Sequence, residues 1–334
     1  MVSLAVKYRP KKFEDCLGNP SIIKILKKQI EKKDYAHCYL FTGSSGIGKT
    51  TIARILANEI NDYNGTPIEI DAASNNGVDN IRAIVEDAKL RAFDAMYKVY
   101  IIDEAHAITT AGWQAFLKCL EEPPKYTIFM LCTTEPKKIP QTILNRVMRF
   151  NLAKVSDNLI EERLKYICEQ EGFTDTDGVC SYISKNCDGG VRSAIAMLEK
   201  CASLSSTLNV KDAVKLVGSF SPEAMIDLTI AIAENNEQAI INIIEHFYKE
   251  GVDLKVFLSQ YLDFIYELIK YSLFKCDMTV TKLPSYLEED VKYLKSVKGD
   301  VGFLFNISNE IIPMLSLTLS KSLVILNFLK VSRQ

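Results

Sequence analysis

The run GSSGIGKTT, Gly43 to Thr51, leaves this chain little choice of architecture. It fits GxxxxGK[ST] through Gly43, Gly48, Lys49 and Thr50, and it stands between a strand-like run, CYLFT (38–42), and a helix-like run from about 48 to 61. Glycines there let the backbone wrap a phosphate. The N–H groups across Ser44, Ser45, Gly46, Ile47, Gly48 and on to Thr51 then point at an anion, with a helix N-terminus behind them. Lys49 would reach the β- and γ-phosphates of a nucleotide, and the Thr50 hydroxyl would ligate Mg²⁺. An ordinary glycine-rich strand–turn–helix corner is the bland alternative, but motif and setting agree against it.

The rest of the first half repeats strand and helix. NPSIIKILKKQIEKK (19–33) opens with Asn19 as a candidate N-cap and a proline behind it, with Ile22, Ile25, Leu26 and Ile30 on one face. PIEI (67–70), KVYIID (98–103) and YTIFMLCTT (126–134) read as strands. GVDNIRAIVEDAKLRAF (77–93) reads as an amphipathic helix. TTAGWQAFLKCLEEPP reads as a helix stopped by two prolines, with Trp113, Phe116, Leu117 and Leu120 on its core face. Such alternation means a parallel sheet covered on both sides. After about residue 152 the strand signal vanishes. Residues 156–205 read as a small helical unit and 208–334 as longer helices, among them DLKVFLSQYLDFIYELIKYSLF (253–274).

The bulk numbers exclude several classes. Forty basic against forty-two acidic side chains in 334 residues give a net charge of −2, so any contact with nucleic acid must use a local face or an assembly. The nine cysteines, Cys276 the last of them, contain no CxxC pair, which argues against a structural zinc site. Neither a signal peptide nor a membrane span is expected, and the compartment that fits is a reducing cytoplasm.

VYIIDEAH supplies a second half to the phosphate loop. Asp103, at the end of a buried strand, can hold Mg²⁺ through its water shell, and Glu104 can orient and polarise an attacking water. A kinase would not need that second carboxylate; a hydrolase would. His106 reads as loop structure rather than as a ligand. CTTEP ends the next strand with a hydroxyl, Thr134 more than Thr133, that can touch the γ-phosphate or the water. Arg192 begins a helix after a glycine pair, where a cation opposes the helix dipole unless an anion is near. In TILNRVMRF (142–150), Arg146 stands among apolar neighbours with no obvious partner.

Taken together, the phosphate loop, the Asp-Glu strand, EIDAASNNGVDNIR (69–82), LKCLEEPP (117–124), CTTEPKKIPQTILNRVMRF and GGVRSAIAML resemble the bacterial DNA polymerase III gamma/tau family of clamp-loader ATPases. They are more distantly similar to the small subunits of replication factor C. The similarity runs from KYRPKKFEDCLGNPSI to about residue 200. It implies an α/β P-loop (AAA+) parallel-sheet ATPase domain (1–152), a small helical lid domain (153–206) and an all-α collar that oligomerises (207–334). It implies ATP and Mg²⁺ as cofactors. The implied activity is ATP-driven opening of a sliding clamp and its loading onto primer–template DNA, with further clamp-loader subunits, copies of this chain or different ones, completing a pentamer and no membrane involved. Carried over by position, Tyr8, Arg9 and Pro10 would line the adenine pocket. Gly43 to Thr51 would be Walker A, Asp103 and Glu104 Walker B, Thr134 sensor 1 and Arg192 sensor 2. Arg146 falls on the family's arginine finger, whose partner would be the γ-phosphate bound to a neighbouring subunit; such fingers are worth about 10³ to 10⁵ in rate elsewhere.

The sequence departs from the family in three places. Asn145 and Val147 stand where the family has serine and cysteine. LANEINDYNGTPIEI crosses the usual position of a four-cysteine zinc module with no cysteine, so no zinc is expected. The sequence ends soon after the collar, so the long extension of tau is not expected, and a compact loader of phage or other reduced type is the reading that fits. Candidate DNA contacts are Asn76, Gly77 and Arg82 on one helix and Thr109 and Thr110 opening the next; each alone is more often an ordinary cap or surface residue than a contact. Phe93 and Met96 could insert into the clamp or pack on their own sheet. Rival readings are another AAA+ DNA-processing ATPase, such as a helicase loader or branch-migration motor, and a loader scaffold that binds nucleotide without hydrolysing it. A P-loop kinase would explain neither Arg146 nor the helical C-terminal third.

Overall fold

Strict alternation along buried strands builds the first half of the molecule. The computed structural model describes residues 3–175, 178–217, 220–274, 277–298 and 301–333; Cys276 lies outside them. Five strands, β1 (Cys38–Thr42), β2 (Ile68–Asp71), β3 (Lys98–Asp103), β4 (Thr127–Thr133) and β5 (Met148–Asn151), form one sheet in the order β2-β3-β4-β1-β5. Every pairing is parallel, with Leu40 opposite Leu131 and Ile101 opposite Met130. The connecting helices are α1 (Leu4–Lys7), α2 (Pro20–Lys32), α3 (Lys49–Ile60), α4 (Val78–Ala88), α5 (Thr110–Glu121), α6 (Gln141–Leu144) and α7 (Asp157–Glu171).

Because successive strand side chains point to opposite faces, the sheet carries two separate cores. Tyr39, Phe41, Ile101 and Met130 pack with Leu26 of α2 and Ile52 and Leu56 of α3. Leu40, Tyr100, Ile102 and Phe129 pack with Ile81 of α4 and Trp113 and Phe116 of α5. The strand ends that carry chemistry, Thr42, Asp103 and Thr133, therefore emerge along one edge of a sheet that cannot shift register without exposing both cores.

The chain forms two compact units: Met1–Gly172 with Cys187–Glu199, and Phe173–Asn186 with Lys200–Gln334. The second unit pairs two-residue strands β6 (Thr174–Asp175) and β7 (Thr207–Leu208) in parallel, so strand does persist past residue 152. Its helices are α8 (Val179–Asn186), the end of α9 (Val191–Leu204), α10 (Val210–Val217), α11 (Pro222–Ala233), α12 (Glu237–Lys249), α13 (Leu254–Leu273), α14 (Glu288–Val297), α15 (Val301–Met314) and α16 (Lys321–Ser332). Leu228, Ile244, Phe257, Tyr261, Ile265, Ile307 and Phe328 sit in its core. Asp253 caps α13 through the N–H groups of Lys255 and Val256, which fixes where that long helix starts. Among the described residues, no helix is long and apolar enough to cross a membrane.

Several local expectations shift. Asn19 precedes α2, but in the left-handed region (φ 53°), and its side chain pairs with both backbone groups of Ala153 instead of capping. Ile25 faces solvent, and Ile23 takes its place against the core. The helix expected to reach Phe93 ends at Ala88, because Lys98 Nζ and Thr127 Oγ1 take the carbonyls of Asp87 and Ala88. Leu90, Phe93 and Met96 beyond it are exposed, so packing on the sheet is not what these residues do. Strand β2 starts one residue later than PIEI, and β5 carries little strand signal in the sequence, since only Phe150 in it is buried.

Candidate nucleotide site

Gly43, Gly46 and Gly48 have φ of +143°, +75° and +105°, conformations that close the loop between β1 and α3. A Cβ on Gly43 would stand 2.7 Å from the Leu152 carbonyl oxygen, so the loop is seated against the chain leaving β5. On its other side the Arg192 N–H donates to the Gly46 carbonyl at 3.2 Å. The start of α9 thus buttresses the loop.

Lys49 is 6% exposed, and its Nζ donates to the carbonyls of Gly43 and Ser44 at 3.0 and 2.8 Å. Burial pushes its pKa down, and the Glu104 and Asp103 carboxylates partly offset that. Thr50 Oγ1 donates to Asp103 Oδ2 at 2.7 Å, which brings the loop hydroxyl and the strand-end acid together. This is a hard-oxygen pair of the kind that suits Mg²⁺ bound with a nucleotide. The Glu104 N–H donates to the other Asp103 oxygen at 3.0 Å. Glu104 itself is left-handed (φ 47°), a strained placement for a non-glycine residue.

The Glu104 carboxylate is held. Its Oε2 accepts from Thr134 Oγ1 at 3.4 Å and lies 3.3 Å from His106 Nδ1. The other ring nitrogen of His106 is 3.3 Å from Glu135, and Nδ1 is also 3.1 Å from Thr133 Oγ1. His106 therefore does more than fill a loop, since it ties the end of β4 to Glu104. Thr134, as preferred over Thr133, is the hydroxyl that reaches Glu104; Thr133 accepts the Glu135 N–H instead.

The cleft beside the loop, open to solvent, is lined by Tyr8, Arg9, Pro10, Cys16, Leu17, loop residues 45–52, Asp103, Glu104, Arg163 and Arg192. The Tyr8 carbonyl accepts from Arg163 Nη2 at 2.9 Å, and its hydroxyl donates to Glu171. Burial and then that hydrogen bond push the Tyr8 hydroxyl up to about 12, so it stays a neutral donor. Burial likewise lifts the Cys16 thiol to about 11, leaving it a small lining group. Sequence reasoning does not single out Arg163, Cys16 or Leu17. Cys16 and Leu17 lie within the run KYRPKKFEDCLGNPSI, where no chemistry marks them, and Arg163 joins the site through a contact distant along the chain.

Arg146 is away from this cleft, after α6, and it does have a partner within the chain. Nη1 donates to the Thr142 carbonyl at 2.7 Å and Nη2 to Glu121 Oε1 at 2.8 Å. Both side chains of that ion pair keep more than a third of their surface in solvent. The remaining candidates form a third cluster. The Thr109 N–H donates to the Asn76 carbonyl at 3.3 Å, so the starts of α4 and α5 are side by side. Thr109 Oγ1 caps Gly112, Arg82 leans on Asp79, and Gly77 and Thr110 open onto the same exposed ground. Among the described residues no group of three or more His, Cys, Asp and Glu is placed to hold a metal ion.

Residues 66–156 match the family described as DNA polymerase III, delta subunit, and residues 208–296 match domain III of DNA polymerase III subunits gamma and tau. The chain is 34% identical over 286 residues to DNA polymerase III subunit tau of Bacillus subtilis, covering 79% of this chain and 51% of that one. It is 30% identical over 287 residues to DNA polymerase III subunit gamma of Buchnera aphidicola, covering 79% and 80%. A third relative, DNA polymerase III subunit gamma/tau of Mycoplasma genitalium, is 32% identical over 327 residues, covering 91% and 54%. The chain spans about half the length of the Bacillus and Mycoplasma relatives. Among solved structures, the RuvB Holliday junction branch migration motor of Thermotoga maritima superposes with a TM-score of 0.52 at 20% identity, covering 66% of this chain and 79% of that one. The parallel sheet, phosphate loop and this likeness make the fold an AAA+ P-loop fold followed by a helical region.

Proposed function

Since the chain belongs to the DNA polymerase III gamma/tau family, we propose that it is an ATP-hydrolysing motor subunit of a clamp loader, opening a sliding clamp and loading it onto primer–template DNA. The observation that carries this reading is the 2.7 Å bond between Thr50 and Asp103 with Glu104 next in the chain. Phosphate loop, metal-holding acid and general base then stand within one cluster, which is the set a hydrolase needs.

In this reading Tyr8, Arg9 and Pro10 bound the adenine side of the cleft, with Arg163 fixing the Tyr8 backbone. The backbone from Gly43 to Thr51 receives the phosphates, and Lys49 leaves its two carbonyl partners for the β- and γ-oxygens. Thr50 and Asp103 would hold the Mg²⁺ that, bound with ATP, neutralises phosphate charge. Glu104 orients the attacking water and takes its proton, and Thr134 and His106 hold the carboxylate for that task. Arg192 meets the γ-phosphate from the start of α9. Arg146 serves the site of a neighbouring subunit, which makes hydrolysis depend on assembly. Residues 153–206 act as the lid and 207–334 as the collar of a pentameric loader. The paired starts of α4 and α5, with Asn76, Gly77, Arg82, Thr109 and Thr110, offer N–H groups to duplex phosphates, and the exposed Phe93 and Met96 suit an apolar groove on the clamp.

A scaffold subunit that does not hydrolyse ATP is disfavoured because it would not need Lys49, Asp103 and Glu104 together. The test is ATPase complementation with clamp and primed DNA present. Lys49→Ala and Arg146→Ala should each be nearly inactive alone, and mixing them with subunit exchange should restore a substantial fraction. Full activity in Glu104→Gln would revive the scaffold reading. Full activity in Arg146→Ala alone would refute action in trans.

A further inference from the structure

Glu121 is one of two adjoining glutamates before the proline pair that ends α5, and nothing in the nucleotide site uses it. Its carboxylate nevertheless meets Arg146, 25 positions later in the chain. We infer that Glu121 is a positioning residue for Arg146, aiming its guanidinium outward for the phosphate of a neighbouring subunit; this rests on the reading of Arg146 given above.

The argument begins with donor geometry. A guanidinium has five N–H donors in a rigid planar fork. Here one Nη1 bond goes to the Thr142 carbonyl and one Nη2 bond to Glu121 Oε1, and the other three have no partner among the described residues. Three are enough for a bidentate grip on phosphate, so Glu121 need not let go for Arg146 to act. The two anchors differ in kind. Thr142 is four residues back, in the short helix α6 that leads into Arg146, and moves with the arginine. Glu121 belongs to α5, whose Trp113 and Phe116 are locked into the sheet's core, so it fixes the fork relative to the whole domain. Without it, a long side chain at a half-exposed position would be tethered only to its own turn.

The pair is exposed on both sides, so its strength is that of a surface ion pair. The expected effect of losing it is therefore modest, about two- to fivefold in rate. The experiment is steady-state ATPase of the full chain assembled with clamp and primed DNA. Glu121→Ala should lower kcat about two- to fivefold with KM for ATP unchanged. Glu121→Gln, which keeps an acceptor at the same place, should recover most of the loss. In an Arg146→Ala background, Glu121→Ala should have no further effect. Unchanged or raised kcat in Glu121→Ala, or an equal loss in the Arg146→Ala background, would overturn the inference. If Arg146→Ala is itself fully active, the finger assignment fails along with this one. If Arg146→Ala is inactive while Glu121→Ala matches wild type, this inference alone fails.

Discussion

Replacing Gly43 by alanine separates two reasons for glycine in a phosphate loop. At φ +143° an L-residue is strained, by about 1–3 kcal/mol. The new methyl would also stand 2.7 Å from the Leu152 carbonyl oxygen, which cannot easily yield because the Leu152 N–H is bonded to the Thr42 carbonyl at 2.8 Å. Forcing that contact adds about 1–3 kcal/mol of overpacking, for a total of about 2–6 kcal/mol. Gly48 is the control. It shares the positive φ (+105°), but a Cβ there would meet nothing within 4 Å, so Gly48→Ala should cost the strain alone. The assay is urea unfolding without nucleotide, followed by tryptophan fluorescence. The single tryptophan, Trp113, is buried in the sheet-bearing unit and reports on that unit only. If Gly43→Ala proves no more destabilising than Gly48→Ala, the seat against Leu152 is not what demands glycine.

Phe129→Ala should destabilise the same unit by about 3–5 kcal/mol in that assay, since its ring is fully buried with ring centroids 5.3 Å from Tyr100 and 4.8 Å from Phe116. The Asp87 carboxyl is held below its ordinary value by the hydrogen bond from Lys98 and then by that from Tyr100. Its contribution is therefore present above the unfolded value of about 3.9 and is lost as pH falls through the lowered folded value. Asp87→Asn should lower the urea midpoint at neutral pH and flatten its decline into acid, and parallel pH curves for the two proteins would count against this.

The phosphate loop could be read from sequence because its chemistry requires particular residue types in one contiguous run. Asp103 and Glu104 were legible for a related reason: acids that end an apolar, β-branched run lie at the rim of a sheet, where a charge stays solvated and can meet a metal ion. Helix stops and partner choices were less so. The end of α4 at Ala88 depends on Lys98 and Thr127, which arrive from two strands later in the chain. Glu121 beside Arg146 and Arg163 beneath Tyr8 depend on how distant elements register, and no local periodicity encodes that. His106 looks like plain loop structure in the sequence for the same reason, since its partners Thr133 and Glu135 come from the next strand. The fold was therefore clear where a face repeats along one element, and the site was clear where one segment supplies it.

Helix α5 begins at Thr110, beside the Asn76 carbonyl's hydrogen bond to Thr109, and ends at Glu121, on the guanidinium of Arg146. Its twelve residues span about 18 Å. A hydrogen-bonded rod of that length neither stretches nor compresses appreciably, so the separation of its two ends is set. In the proposed loader, the surface that would feel a duplex and the side chain that would reach into the next subunit are held a set distance apart by one stiff element, pinned to the sheet by Trp113 and Phe116.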